Sequence, residues 1–181
     1  MERESVKTHD PETAVCAEVR HCGSLFLIYG TIIPYHAAGT RYRYRFEGAE
    51  VQGKKAWELH YESIANHAAD WRRLRDNYPD HRMVVAGDFN QNRDGRRWYG
   101  TEKGRGDLRD ALAGAKLDCA TEGAIKPMEE GDLLNPTVDH ICLDWALVEL
   151  GPVVKGWPAG ETPGGKRLTD HTGVYVDVTL P

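Results

Sequence analysis

Three polar clusters in this chain fall where apolar runs end: Gly87-Asp88-Phe89-Asn90, Val138-Asp139-His140-Ile141 and Thr169-Asp170-His171. Strand ends are where a rigid scaffold holds a site while loops shape it. The residue types suit attack on an anionic ester. Such an ester repels nucleophiles, so its hydrolysis needs a cation or fixed donors to neutralise charge. It also needs a base to take the proton of water. A carboxylate beside an imidazole holds one tautomer and raises the imidazole pKa. Hard oxygen donors with few nitrogen or sulfur partners favour Mg²⁺ or Mn²⁺ over zinc. Each cluster alone has a plainer meaning. Gly, Asp and Asn are turn formers, and an Asp-His pair on its own reads as a surface pair. All three in this order point to one site.

The elements that must position them are legible in outline. Residues 1–13 read as a frayed N-terminal tail, with the domain over 14–181. Ala14–Val19 reads as a strand, His21–Ser24 as a turn around Gly23, and Ser24–Ile33 as an apolar run covered on both faces. Trp57, Tyr61, Ile64, Ala68, Trp71, Leu74 and Tyr78 recur at steps of three and four, the signature of one helix face. Pro79 stops that helix. His81–Gly87 follows as a short buried strand with the first polar cluster at its end. Residues 93–107 read as a loop, Leu108–Ala115 as a short helix and Leu117–Thr121 as a strand. Thr137–Leu143, Leu147–Val154 and Thr172–Leu180 read as strands, with Lys155–Arg167 a Gly/Pro loop.

Composition bounds the answer. The chain has 181 residues, 40% hydrophobic and 28% charged, with a formal net charge of −5. By length that is one domain, or one and a small extra, with enough apolar material for a core. It is not a strongly basic nucleic-acid coat, although a local basic patch on an enzyme remains compatible. No apolar run approaches the ~18 residues of a transmembrane helix, and the charged N-terminus shows no secretory h-region. A cytoplasmic protein is therefore expected. The four cysteines, at 16, 22, 119 and 142, form no CxxC and no zinc spacing. Cys16 and Cys22 flank a hairpin turn that a bridge could span, but buried free thiols are the expectation in a reduced cytosol.

Met83–Asn90 (MVVAGDFN), Val138–Leu143 (VDHICL) and Leu168–Val174 (LTDHTGV) resemble the endonuclease/exonuclease/phosphatase superfamily, the DNase I-like proteins. The match runs from about Ala14 to the C-terminus. The resemblance implies an α+β fold, a two-layer β-sandwich flanked by helices, here in part. It implies that Asp88 orients or deprotonates the attacking water and that Asn90 holds the scissile phosphate. Asp139 pairs with the histidine of the last cluster. His171 contacts phosphate and serves in acid–base work. Asp170 is a metal ligand, with Asp88 beside it, for Mg²⁺ or Mn²⁺. Nucleic acid is the default substrate; a small phosphate ester or a lipid phosphate stays open.

The departures are equally specific. The family's first half carries an Asn and a metal-binding Glu in an LQE-type motif, and neither is visible. Glu18 lies in a hairpin instead. The chain thus resembles the C-terminal two-thirds of the family, and exposed apolar sheet surface and self-association are expected. Arg41-Tyr42-Arg43-Tyr44-Arg45 alternates cation and aromatic, a pattern able to track a phosphate backbone; a solvated loop is the plainer reading. Arg93, Arg96 and Arg97 follow GDFN within reach of a substrate phosphate, or lie in a solvated loop. His140 follows Asp139 in a strand, points to the opposite face, and is read as structural. A metal-dependent phosphoesterase leads; a weakly active or inert relative that binds a phosphate-bearing ligand or a protein partner is the alternative. A calcineurin-like metallophosphatase is excluded, for want of its DxH and GNH(D/E) motifs.

Overall fold

The computed structural model describes residues 2–40, 53–93, 99–128, 134, 136–158, 160, 163–166 and 168–181. Twelve elements follow in chain order: β1 (Glu2–Val6), β2 (Ala14–His21), β3 (Ser24–Ile32), α1 (Glu58–Asn77), β4 (Arg82–Asp88), α2 (Glu102–Gly114), β5 (Leu117–Cys119), β6 (Lys126–Pro127), β7 (Asp139–Asp144), α3 (Trp145–Val148), β8 (Val153–Trp157) and β9 (Gly173–Asp177). A six-stranded sheet runs β1-β2-β3-β4-β7-β5, and a three-stranded sheet runs β6-β8-β9. The expected two-layer α+β architecture is present.

The β2–β3 hairpin turns at Cys22 and Gly23, both at positive φ. From β3 the chain crosses through α1 to β4, which pairs parallel to β3. This βαβ crossover brings the ends of both strands to the same edge, and β7 lies antiparallel on the far side of β4. Side-chain alternation then divides the large sheet. Leu27, Tyr29, Met83, Val85 and Cys142 face α1 and α2 in the main core with Ile64, Trp71, Leu74, Leu108 and Leu112. Full burial of such side chains stabilises by roughly 1.5–3 kcal/mol each before entropy is subtracted. On the opposite face Phe26, Val84, Ile141 and Leu143 pack with Leu147, Val176, Val178 and Leu180.

Four expectations are corrected. Residues 2–6, read as part of a tail, form β1 and pair with β2; ladder hydrogen bonds hold the short stretch, and Val6 packs against the main core. The second helix begins at Glu102, where Thr101 Oγ1 accepts from the Gly104 N–H. Leu147–Val154 is not one strand: Asp144 caps the short helix α3, and β8 starts at Val153. The apolar run of β3 is buried along one face, but on the other only Phe26 at its start is covered. Val15, Ile28 and Ile32 are exposed there, at 69%, 39% and 60%. Exposed apolar surface along this run was expected, and it is present.

All four cysteines are free, and Cys16, Cys119 and Cys142 are buried. Among the described residues no helix is long and apolar enough to cross a membrane.

Candidate active site

Asp88 ends β4 and Asp139 opens β7, and the two residues face each other directly across the ladder. Like charges placed so are unfavourable unless a cation or a proton intervenes. Three local devices aim the side chains. In GDFN, Asp88 Oδ1 accepts from the Asn90 N–H at 2.8 Å, an Asx turn. Asn90 adopts φ +46°, which Asn tolerates better than most residues. Phe89 turns into the core and is fully buried. Asp139 N–H donates to Thr137 Oγ1 at 2.9 Å, and His171 N–H donates to Thr169 Oγ1 at 3.1 Å. A threonine two residues upstream therefore fixes the backbone at both Asp139 and His171.

His171 Nδ1 lies 2.6 Å from Asp139 Oδ2. With the N–H on Nδ1, the opposite nitrogen points away from Asp139 and is available to a substrate. Burial opposes charge on this imidazole, but the hydrogen bond to Asp139 and the charges of Asp139, Asp88 and Asp170 outweigh it, and the pKa is raised. Asp88 is also raised, first by burial and then by the Asp139 charge; the Asn90 hydrogen bonds and His171 offset part of this. Ligand atoms of Asp88, Asp139 and His171 all lie within 4.8 Å of one another. The two carboxylates offer hard oxygen donors of the kind that hold a divalent cation.

Asp88, Asn90, Asp139 and His171 are therefore together. Asp170 is set apart: its side chain is 84% exposed, with one oxygen 3.8 Å from His171 Nε2. The Asn90 amide nitrogen donates to Asp88 Oδ2 at 2.9 Å and to the Ile33 carbonyl at 3.0 Å. As placed it holds Asp88, and contact with a phosphate requires it to release one of those bonds. Glu18 is remote, with its carboxylate 3.4 Å from His81 Nε2.

His140 faces away from the site and is buried, bonded to the Gln91 carbonyl at 2.9 Å and to Thr121 Oγ1 at 3.1 Å. It ties the segment after GDFN to the end of β5. Arg93 is buried against Glu122 and the Arg105 carbonyl, not solvated. Residues 41–45, Arg96 and Arg97 lie outside the described residues.

One neighbour of the site was not foreseen. Tyr99 is pushed up first by burial and also by the Asp88 charge, and its hydroxyl lies 3.2 Å from His36 Nδ1. No pattern local to Tyr99 announces this, because the contact joins distant loops.

No protein-family model matches this sequence, and no curated protein does. Solved structures do match. A 3′-5′ exonuclease (NExo) from Neisseria meningitidis aligns at TM-score 0.62 and 15% identity, over 95% of this chain and 67% of its own. The endonuclease domain of TRAS1, a telomere-specific non-LTR retrotransposon, aligns at 0.51 and 15%, over 98% and 69%. D. rerio TDP2 complexed with single-strand DNA product aligns at 0.54 and 12%, over 97% and 66%. The chain has the DNase I-like fold of the endonuclease/exonuclease/phosphatase proteins, and it spans about two-thirds of the length of these neighbours.

Proposed function

We propose that this protein is a divalent-metal-dependent phosphoesterase of the nuclease type, hydrolysing a phosphodiester by in-line attack of water. The observation that carries the proposal is the 2.6 Å Asp139–His171 pair set beside Asp88, with their ligand atoms within 4.8 Å. The fold and the nuclease and phosphatase neighbours support it.

Asp88 receives the proton of the attacking water; its burial makes it a stronger base than a solvated aspartate. Asn90 fixes the Asp88 carboxylate. Asp139 holds His171 in the tautomer that leaves Nε2 for a phosphoryl or leaving-group oxygen, and the raised pKa favours the charged imidazole there. Mg²⁺ or Mn²⁺, held by Asp88 and Asp139 with Asp170 near the rim, would neutralise charge on the phosphate.

The second reading, a weak or inert relative that binds a phosphate-bearing ligand, is favoured by the remoteness of Glu18 and the exposure of Asp170. The test separates them. Hydrolysis of bis-p-nitrophenyl phosphate should require Mg²⁺ or Mn²⁺ and vanish with EDTA. His171→Ala and Asp88→Ala should each reduce it ~10²–10⁴-fold, while Glu18→Ala should be neutral. Metal-independent turnover, or turnover untouched by His171→Ala, would overturn the proposal.

A further inference from the structure

A recess of about 380 Å³ opens directly beside the Asp139–His171 pair. It is walled by those two residues and by Trp157, Pro158, Thr169 and Thr172. We propose that this recess is a nucleobase subsite, with Trp157 as the stacking platform for a base next to the scissile phosphate. The proposal deepens the phosphoesterase reading and rests on it: the substrate class becomes nucleic acid presenting an unpaired base.

Trp157 is the last residue of β8 and faces Gly173 of β9 across the ladder. Its side chain is large and apolar, yet the residue is 50% exposed at the mouth of a concave site. Exposed indole surface costs free energy in water, and that cost is recovered when a planar group covers it. The indole position is also fixed in advance. A Cβ on Gly173 would lie 2.2 Å from Trp157 Cε2 and 2.4 Å from Nε1, so the ring lies against the bare glycine backbone. Gly156 has the same need, since a Cβ there would meet the Gly173 carbonyl at 2.6 Å. A pre-placed ring loses little freedom on binding. Gly160, which also lines the recess, accepts at its carbonyl from Leu168 N–H at 2.8 Å.

The chemistry of the lining selects the occupant. Among the described residues no Lys or Arg lines the recess, a lining that suits the neutral part of a substrate whose phosphate lies at His171. Its volume is near the lower end of the roughly 300–1,000 Å³ range of ligand pockets. That suits one planar ring with its sugar and leaves no room for a duplex. Threonine hydroxyls at 169 and 172 offer hydrogen bonds to a ring edge, which an acyl chain would leave unmet. A base can enter only by leaving a helical stack, so single strands and frayed ends are favoured.

Two readouts test this. In EDTA, a single-stranded trinucleotide with a central 2-aminopurine should lose fluorescence on binding the wild-type chain. Trp157→Ala should weaken that binding about 5- to 150-fold, the value of one base–aromatic stack, and Trp157→Phe should recover most of it. In Mg²⁺, Trp157→Ala should raise KM for a base-bearing trinucleotide by a similar factor, leave kcat within about twofold, and spare a trinucleotide of abasic spacers. An equal penalty on the abasic substrate would overturn base stacking in favour of a sugar contact. A loss confined to kcat would show that the indole only braces His171, and would overturn it too, as would no quenching on binding. If no diester is cleaved in any metal but the quenching is seen and depends on Trp157, the phosphoesterase reading fails while the base subsite stands.

Discussion

The Asp139–His171 bond separates two jobs that a single deletion would confuse. His171→Ala removes the imidazole itself, whereas Asp139→Asn leaves the ring and removes the charge that orients it. The loss from Asp139→Asn should therefore be smaller than the ~10²–10⁴-fold expected for losing the imidazole. It also carries a pH signature. In the wild type, burial works against the charged ring, and Asp139, Asp88 and Asp170 together raise the pKa above the ordinary histidine value. Asp139→Asn removes the largest of the raising contributions. The His171 pKa should then fall, and the alkaline limb of kcat/KM should move to lower pH. NMR titration of the His171 ring in EDTA checks the first statement without metal, and an unchanged pKa in Asp139→Asn would contradict the observed geometry.

Strand β4 shows how an element can be specified by one atom that is missing. Gly87 has φ +151° and stands opposite Thr31 of β3 in the parallel ladder. A Cβ at this position would lie 1.8 Å from the Thr31 carbonyl oxygen. The glycine thus lets β3 and β4 close on each other one residue before Asp88. Gly87→Ala combines a backbone clash with a φ that L residues rarely adopt. It should cost about 2–5 kcal/mol, read as a lowered urea midpoint, and should displace Asp88 along with it. A midpoint equal to wild type would show that β4 tolerates a side chain there.

Among the described residues, the large sheet carries an exposed apolar surface. Val15 sits over Gly30, with its Cγ2 3.2 Å from where a Cβ would stand, and Ile28 and Ile32 flank it along β3. All three side chains share one face of the large sheet, opposite the face covered by α1 and α2. The three-stranded sheet and the C-terminal residues cover the neighbouring part of that face through Val176, Val178 and Leu180, but not this part. Contiguous exposed apolar surface on a sheet drives association. Sedimentation velocity should show concentration-dependent self-association, and Val15→Thr with Ile32→Thr should reduce it while leaving metal-dependent turnover in place. A monomer at all concentrations would remove the expectation.

Local rules made much of this protein legible from its sequence. Helix α1 was bounded by its apolar period and by Pro79 because both signals act within one or two turns. Asp88, Asn90, Asp139 and His171 were legible as candidates because turn formers and acid–base residues at strand ends are short-range patterns, and the three motifs together carried the family resemblance. His140 was assigned to the opposite face by strand alternation alone. What only the tertiary structure decided depends on contacts between distant segments. Gly104 and Gly106 made the start of α2 read as loop, yet a Cβ on Gly104 would lie 2.5 Å from Gln91 Oε1; that glycine serves packing, not a break. The buried face of α1 carries His60, His67 and Asp70 among its apolar residues. His67 Nδ1 and Asp70 Oδ2 each lie 3.0 Å from the Tyr29 hydroxyl, a network no helical period reveals. The nearness of Tyr99 to Asp88, the outward turn of Asp170 and the seating of Trp157 on Gly173 belong to the same class. Each is set by how loops close over a sheet, and loop closure depends on the whole chain rather than on the spacing of neighbours.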